Sequence, residues 1–281
     1  MKKILFPTDF SFASLNAFRY ALHLAHKIDA EIVTLHVYEL PTGTYVDYYD
    51  FLSENYSITD WDEFANCKSE VPKLTKIAEQ EHLTKIPVCH MLSKGRVVDT
   101  IVSVAESERA DFIVMGTTGA SGIQEIFLGS VTDEVMNMAK ATVLAIPEHC
   151  LFNKIKNLLF LTRFKEYQLP LLIKMHELAQ LLHAHIDVLQ VKDKHDAQEA
   201  EVLKTWKNAV QDTDINFYII QSNDYEGTVL DFIETNKIDI VTMPVRHKGF
   251  FRKLFASSLS RKLNFHSNIP IMGLYHEGSE Q

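Results

Sequence analysis

The sequence has no long apolar run, few cysteines and too few basic residues to balance its acidic ones. No segment approaches the ~18 consecutive apolar residues of a membrane span. Only three apolar residues stand between the N-terminal lysines and Pro7, too few for a signal peptide. Cys67, Cys89 and Cys150 are odd in number and lack C-x-x-C spacing, which argues against a disulfide framework or structural zinc. We therefore expect a cytoplasmic protein that neither enters a membrane nor holds a structural metal.

Positive charge is scarce in the first half in particular. The net charge is −9, and residues 1–149 carry 12 basic and 21 acidic side chains, against 16 and 16 in residues 150–281. Nucleic-acid binding needs a positive field, so no nucleic-acid partner is expected. Any anion that binds must be held by local backbone geometry.

The motifs of several enzyme classes are also missing. The sequence contains no G-x-x-x-x-G-K-[ST] loop, no G-x-S-x-G elbow and no catalytic-base motif of a kinase. Positioning a phosphate without an acid, a base or an arginine finger favours binding, with hydrolysis slow or absent. The chain is therefore expected not to be an enzyme.

The most specific pattern that is present lies between residues 112 and 138. The apolar run 112–115 predicts a buried strand. Gly116 and Gly119 follow it in a loop, and Gly129 then precedes Ser130 at the predicted start of a helix. Glycines let the backbone approach an anion closely, and the free N–H groups and positive dipole end of a helix hold it. A phosphate site is predicted there, although Ser130 as a simple N-cap is the alternative.

The spacing G-x2-G-x9-G-[ST] resembles the nucleotide-binding signature of the universal stress protein family. The resemblance implies ATP, AMP or another adenine nucleotide as the ligand, and a Rossmann-like sheet of the adenine nucleotide alpha hydrolase type with strand order 3-2-1-4-5. It also implies that Asp9 contacts the adenine or ribose and that the backbone at Val37 contacts the adenine edge. Asp9 as a cap of the following helix is the alternative, and the two roles are compatible. Whether Mg²⁺ accompanies the phosphates stays open, since no dedicated carboxylate cluster is visible.

An internal repeat divides the chain into two predicted domains, 1–149 and 150–281. Residues 3–10 match 157–164, residues 106–116 match 234–244, and residues 141–147 match 269–274. Alternating apolar strands and amphipathic helices predict an α/β protein with two doubly wound, five-stranded parallel sheets. Expected strands lie near 2–7, 31–37, 86–92, 111–116, 141–147, 156–162, 185–191, 215–221, 238–243 and 269–274. Expected helices lie near 11–28, 66–84, 95–109, 129–139, 166–183, 195–212, 225–236 and 257–265.

A ligand of such a sheet sits beyond the carboxyl ends of the strands, where the winding reverses. With the order that the resemblance implies, this point lies between the first and fourth strands. The predicted cofactor-binding residues are Pro7, Thr8, Asp9, Val37, Met115, Gly116, Gly119, Gly129, Ser130, Val131 and Thr132.

The second half carries an altered copy of the loop. Pro244, His247 and Ser257 stand where the first half has its three glycines, and Arg163 stands in place of Asp9. Nucleotide binding in the family's manner is therefore expected to be lost there. A different small anion near the basic loop is one alternative, and solvated charges with Phe250, Phe251 and Phe255 filling the pocket are the other. This half is expected to pair with the first as an internal pseudo-dimer, residues 143–145 against 270–272.

Residues 39–66 form an insertion rich in aromatic and acidic side chains, with seven acidic residues and neither lysine nor arginine. A structureless loop of this length is unusual in a compact domain. A lid that packs on its own domain and a docking surface for a protein partner are both open, since Tyr and Trp are favoured at interfaces.

The leading prediction is a universal stress protein of the tandem type whose first half binds ATP as a regulatory ligand in a stress response. An ATP-hydrolysing or adenylyl-transferring enzyme and a nucleotide-free scaffold are the alternatives. A protein partner is expected but not identified by the sequence, and further homodimerisation is left open.

Overall fold

The computed structural model describes residues 1–39, 56–117, 129–192, 199–211, 213–245 and 269–275. Its first half contains β1 (Lys2–Pro7), α1 (Phe12–Ile28), β2 (Ala30–Tyr38), α2 (Tyr56–Gln80), β3 (Val88–Lys94), α3 (Val97–Ser107), β4 (Phe112–Gly116), α4 (Ser130–Met138) and β5 (Thr142–Ile146). Its second half contains β6 (Asn157–Leu161), a 3₁₀ turn (Glu166–Gln168), α5 (Leu169–Leu182), β7 (His185–Lys192), α6 (Glu199–Ala209), β8 (Ile215–Gln221), α7 (Tyr225–Thr235), β9 (Ile240–Val245) and β10 (Ile271–Tyr275).

The strands form one ten-stranded sheet in the order β3-β2-β1-β4-β5-β10-β9-β6-β7-β8. Neighbours within each half are parallel. The α/β class and the order 3-2-1-4-5 in the first half are therefore confirmed. The second half repeats that order when its strands are counted from β6.

The two halves meet where β5 pairs antiparallel with β10. The register places Ile271 opposite Ala145 and Gly273 opposite Val143. The expected partner segment, 270–272, is therefore displaced by one residue. Pro270 has no N–H to donate to a neighbouring strand, and its carbonyl accepts from Val241 N of β9 at 3.0 Å.

Apolar alternation along the first strand of each half builds a core on both faces of the sheet. Ile4 and Phe6 point to one face and Leu5 to the other, because successive side chains of a strand alternate. The first face also receives Phe160 and the second Leu159, so each core cluster runs through both halves. All five side chains have no measurable exposure.

The second half repeats particular backbone devices of the first. Phe10 and Phe164 both adopt positive φ, at 57° and 51°, just after the first strand of each half. Asp111 Oδ2 accepts from Lys3 N at 2.8 Å, and Asp239 Oδ2 accepts from Asn157 N at the same distance. These pairs are the ones that the sequence match aligns.

The chain between the halves is anchored on α1. Asn16 Nδ2 donates to the carbonyls of Pro147 and Cys150, at 3.2 and 2.7 Å. The Tyr20 hydroxyl donates to Leu151 O at 3.0 Å and lies 2.8 Å from Cys150 Sγ. Burial raises the pKa of both the Tyr20 phenol and the Cys150 thiol, so both groups remain neutral in the folded protein at neutral pH.

The described end of the insertion is helical, since α2 begins at Tyr56 and not near residue 66. Residues 44–71 contain neither glycine nor proline, which leaves nothing to break a helix there. The helix continues past Pro72 to Gln80. Phe64 is half exposed on it, whereas Tyr45, Tyr48, Tyr49 and Phe51 lie outside the described residues.

Candidate functional site

A cavity of about 320 Å³ lies at the carboxyl ends of β1 and β4, where the winding of the first five strands reverses. It is lined by Pro7, Thr8, Asp9, Ser14, Leu35, Val37, Val97, Ile101, Met115, Gly116, Thr117, Gly129, Ser130, Val131 and Thr132. The structure thus brings ten of the eleven predicted binding residues to one cavity. The other, Gly119, lies outside the described residues.

Hydrogen bonds to β2 and to α1 fix the turn after β1. Thr8 N donates to Leu35 O at 2.9 Å, and the Thr8 hydroxyl lies 2.5 Å from the Ser14 hydroxyl and accepts from Phe10 N. Asp9 Oδ1 accepts from Ser11 N at 3.0 Å. This bond lies ahead of the helix that Ser11 caps, and it holds the exposed carboxylate of Asp9 at the rim of the cavity.

The N-terminus of α1 is capped by Ser11, whose hydroxyl accepts from Ser14 N at 3.3 Å. The neighbouring His36 is not among the cavity-lining residues. Its Nδ1 lies 2.8 Å from Thr8 O, and its ring packs on Phe10 at 5.3 Å. His36 therefore supports the turn.

Gly116 ends β4 against the start of α1. A Cβ at this position would lie 3.0 Å from the carbonyl carbon of Ala13 and 3.2 Å from Ser14 N. Backbone atoms cannot give way as a flexible side chain can, so a larger residue would push α1 and β4 apart. The glycine brings the two elements close enough to share one cavity wall.

Gly129 makes a second close approach, at the start of α4. Its N–H donates to Thr117 O at 2.5 Å, and a Cβ on Gly129 would stand 2.5 Å from that same oxygen. The Thr132 hydroxyl donates to Gly116 O at 2.9 Å. These bonds join the end of β4 to the beginning of α4. Because the Thr132 hydroxyl donates its proton to Gly116 O, it does not donate that proton to a ligand.

The first turn of α4 points three backbone amides at the cavity end of the helix. The first intrahelical bond runs from Asp133 N to Gly129 O, so the N–H groups of Ser130, Val131 and Thr132 precede the helical ladder. Gly129 supplies no side-chain cap. The amides and the helix dipole together favour an anion at this point.

By contrast, a carboxylate caps α3, another helix that starts at this edge of the sheet. Glu39 Oε1 accepts from Val97 N at 3.0 Å, at the first residue of α3. The helices α1, α3 and α4 all begin beside the cavity, and among the described residues α4 alone has no side-chain acceptor for the amides of its first turn.

The cavity has an apolar side and a polar side. Leu35, Val37, Val97, Ile101 and Met115 supply the apolar wall, and the hydroxyls and amides of α1 and α4 face it. Such a mixture suits a ligand with an apolar ring at one end and an anion at the other. Among the described lining residues, Asp9 carries the one ionisable side chain.

Sequence reasoning missed five of the lining residues: Ser14, Leu35, Val97, Ile101 and Thr117. Thr117 was recognisable as part of the glycine loop, and Leu35 lies two residues before Val37. Ser14, Val97 and Ile101 come from helices whose placement over the sheet no local motif reveals.

In the second half, Arg163 follows β6 and the buried Pro244 lies in β9, at the positions that correspond to Asp9 and Gly116. The other predicted changes in that loop, at His247 and Ser257, lie outside the described residues. The same holds for Arg246, Lys248, Phe250, Phe251, Arg252 and Phe255 and for the expected helix 257–265.

Within the described ranges, no group of three or more His, Cys, Asp or Glu side chains is placed to hold a metal ion. In the same ranges, no helix combines the length and apolarity that a membrane crossing requires.

Comparisons with known proteins place the first half among established relatives. The sequence model of the universal stress protein family matches residues 1–147. Two universal stress proteins of Methanocaldococcus jannaschii are 33% and 30% identical over 150 and 152 residues, spanning 52% of this chain and 81% and 94% of theirs. The crystal structure of a universal stress protein from Archaeoglobus fulgidus covers 99% of this chain and 97% of its own, with a TM-score of 0.72 and 20% identity. This last likeness concerns the fold alone.

Proposed function

Since this chain belongs to the universal stress protein family, we propose that its first half binds ATP as a regulatory ligand in the cavity between β1 and β4. Bound nucleotide then determines which surface the protein presents to a protein partner during stress. The action is assigned to the cytoplasm, in keeping with the sequence.

The start of α4 carries this proposal. Three backbone amides and the dipole of α4 meet there, and the missing Cβ of Gly129 lets the start of the helix lie against Thr117 O. Neither lysine nor arginine stands among the described lining residues. The phosphates are therefore held by the backbone.

The adenosine end of the ligand lies on the apolar wall. Val37 and Leu35 from β2 and Val131 of α4 line the cavity together, and the exposed Asp9 lies at its rim. A ribose hydroxyl can donate to the Asp9 carboxylate, which also keeps its bond from Ser11 N.

The second half, residues 150–281, is proposed as a structural domain without a nucleotide site. It joins the first domain, residues 1–149, through the β5–β10 pair as an internal pseudo-dimer. Pro244 supplies no N–H where Gly116 does, and Arg163 replaces the carboxylate of Asp9. Both changes remove features that the first cavity offers to a nucleotide.

Isothermal titration of the whole chain with ATP, adenosine and tripolyphosphate tests the proposal. We expect one ATP per chain, bound more tightly than either fragment, because only ATP occupies both the apolar wall and the helix terminus. A parallel phosphate-release assay should show no turnover above background. Two ATP sites per chain, or ATP binding no tighter than adenosine, would contradict the assignment.

A further inference from the structure

A second, smaller cavity lies between the carboxyl ends of β6 and β9. Its volume is about 190 Å³, and it is lined by Leu161, Thr162, Arg163, Tyr167, Gln168, Tyr225 and Pro244. In strand order this is the point where the winding of the second half reverses. Ligands of doubly wound sheets bind at such points.

The charge at this point is inverted relative to the first half. Arg163 stands where the first half has Asp9, and no carboxylate is among the residues that line the cavity within the described ranges. A guanidinium offers five N–H donors in a planar fork that matches the oxygens of a carboxylate or a phosphate.

The amide of Gln168 is oriented by the turn that contains it. Gln168 Oε1 accepts from the Thr162 hydroxyl at 2.9 Å, from Arg163 N at 3.0 Å and from Lys165 N at 3.2 Å. With its oxygen engaged, the amide lines the cavity through Nε2, which donates to the Tyr167 hydroxyl at 3.4 Å and has a second hydrogen for a ligand. The side chain is 5% exposed, so this donor is held in place.

Two phenols complete the polar wall. Tyr167 and Tyr225 both line the cavity. Burial raises the pKa of the Tyr225 phenol, while the nearby Arg163 guanidinium opposes part of that rise. The phenol is therefore protonated at neutral pH and is available as a hydrogen-bond donor.

We propose that this cavity binds a small oxyanion, a phosphate or carboxylate group on a compact molecule, through Arg163, Gln168 Nε2 and the phenol of Tyr225. The cavity offers donors and a positive charge. Its small volume, together with Pro244 at its wall, excludes a nucleotide. The site is separate from the nucleotide cavity and does not depend on the function proposed for it.

The test is titration of the intact chain with inorganic phosphate and with acetate, at constant ionic strength set with sodium chloride, with and without ATP. We expect one oxyanion per chain, unaffected by ATP. The preferred probe identifies which oxyanion group the site takes.

Arg163→Gln should weaken the binding by roughly tenfold or more, and Tyr225→Phe by a smaller factor. Lys174→Gln, which removes an exposed positive charge on α5 outside the cavity, should bind like the wild type. Arg163 is exposed, so its replacement should leave the thermal unfolding temperature nearly unchanged. If Arg163→Gln does lower that temperature, the oxyanion affinity of Tyr225→Phe tests the site independently.

Three results would overturn the proposal. The first is no binding of either probe by the wild type, and the second is equal binding by wild type and both cavity variants. The third is competition between ATP and the oxyanion, which would place the anion in the first cavity instead.

Discussion

Gly129→Asp should abolish ATP binding, and its effect can be divided into bulk and charge. A Cβ at this position would stand 2.5 Å from Thr117 O, closer than real contacts allow, so any side chain displaces the start of α4. At the N-cap position, the added carboxylate would also compete with the phosphates for the amides of Val131 and Thr132.

The expected magnitude follows from those amides. A hydrogen bond to a charged group contributes about 1.5–3 kcal/mol. Losing two of them weakens ATP binding by about 3 kcal/mol at least, which is roughly a hundredfold. Gly129→Asn is the matched control, because it brings nearly the same volume without the charge. Its loss should be smaller than that of Gly129→Asp.

Calorimetric titration measures the affinity of both variants for ATP, and thermal unfolding checks that they are equally folded. The gap between Asp and Asn is electrostatic and should narrow as salt rises toward ~1 M, where the screening length falls to about 3 Å. ATP binding by Gly129→Asp within threefold of the wild type would refute the reasoning. Equal losses for the two variants would show that bulk alone acts.

Three further outcomes follow from the structure. Thr132→Val removes the hydroxyl that donates to Gly116 O at 2.9 Å. It should lower the free energy of unfolding by about 1–3 kcal/mol in urea titrations and weaken ATP binding. Because burial raises the pKa of the Tyr20 phenol above its unfolded value of 10.0, its contribution to stability is complete below pH ~10 and is lost as pH rises further. Tyr20→Phe should therefore flatten the fall of stability above that pH, and an unchanged slope would count against the burial argument. Gly273→Ala would place a Cβ 2.8 Å from Met136 Cγ, and it should lower the unfolding midpoint by overpacking, with a cost of about 1–3 kcal/mol.

Local patterns predicted the strands of the sheet well, because burial on both faces leaves near-continuous apolar runs. The segments around Ile4 and Ile113 have this character, and their carboxyl ends carry the cavity. The glycines were recognised from their spacing alone. Their physical reasons, the approach of Gly116 to α1 and of Gly129 to Thr117 O, exist only in the folded chain.

What the sequence missed depends on contacts between distant segments. Val97 and Ile101 reach the cavity because α3 crosses the sheet next to it, and nothing within α3 marks that position. The early start of α2 is marked only by the lack of glycine and proline over residues 44–71, a weaker signal than the aromatic and acidic composition of the same segment. The one-residue displacement at Pro270 depends on a partner strand more than a hundred residues away.

The antiparallel pairing of β5 with β10 determines where the two cavities open. Since every strand of one half runs opposite to every strand of the other, the two switch-point cavities open toward opposite ends of the molecule. A partner protein that contacts the first cavity at one end therefore cannot contact the second cavity at the other end. A signal between the two can travel through the β5–β10 pair, where Met136 of α4 lies against Gly273 of β10, and through the core clusters that both halves share.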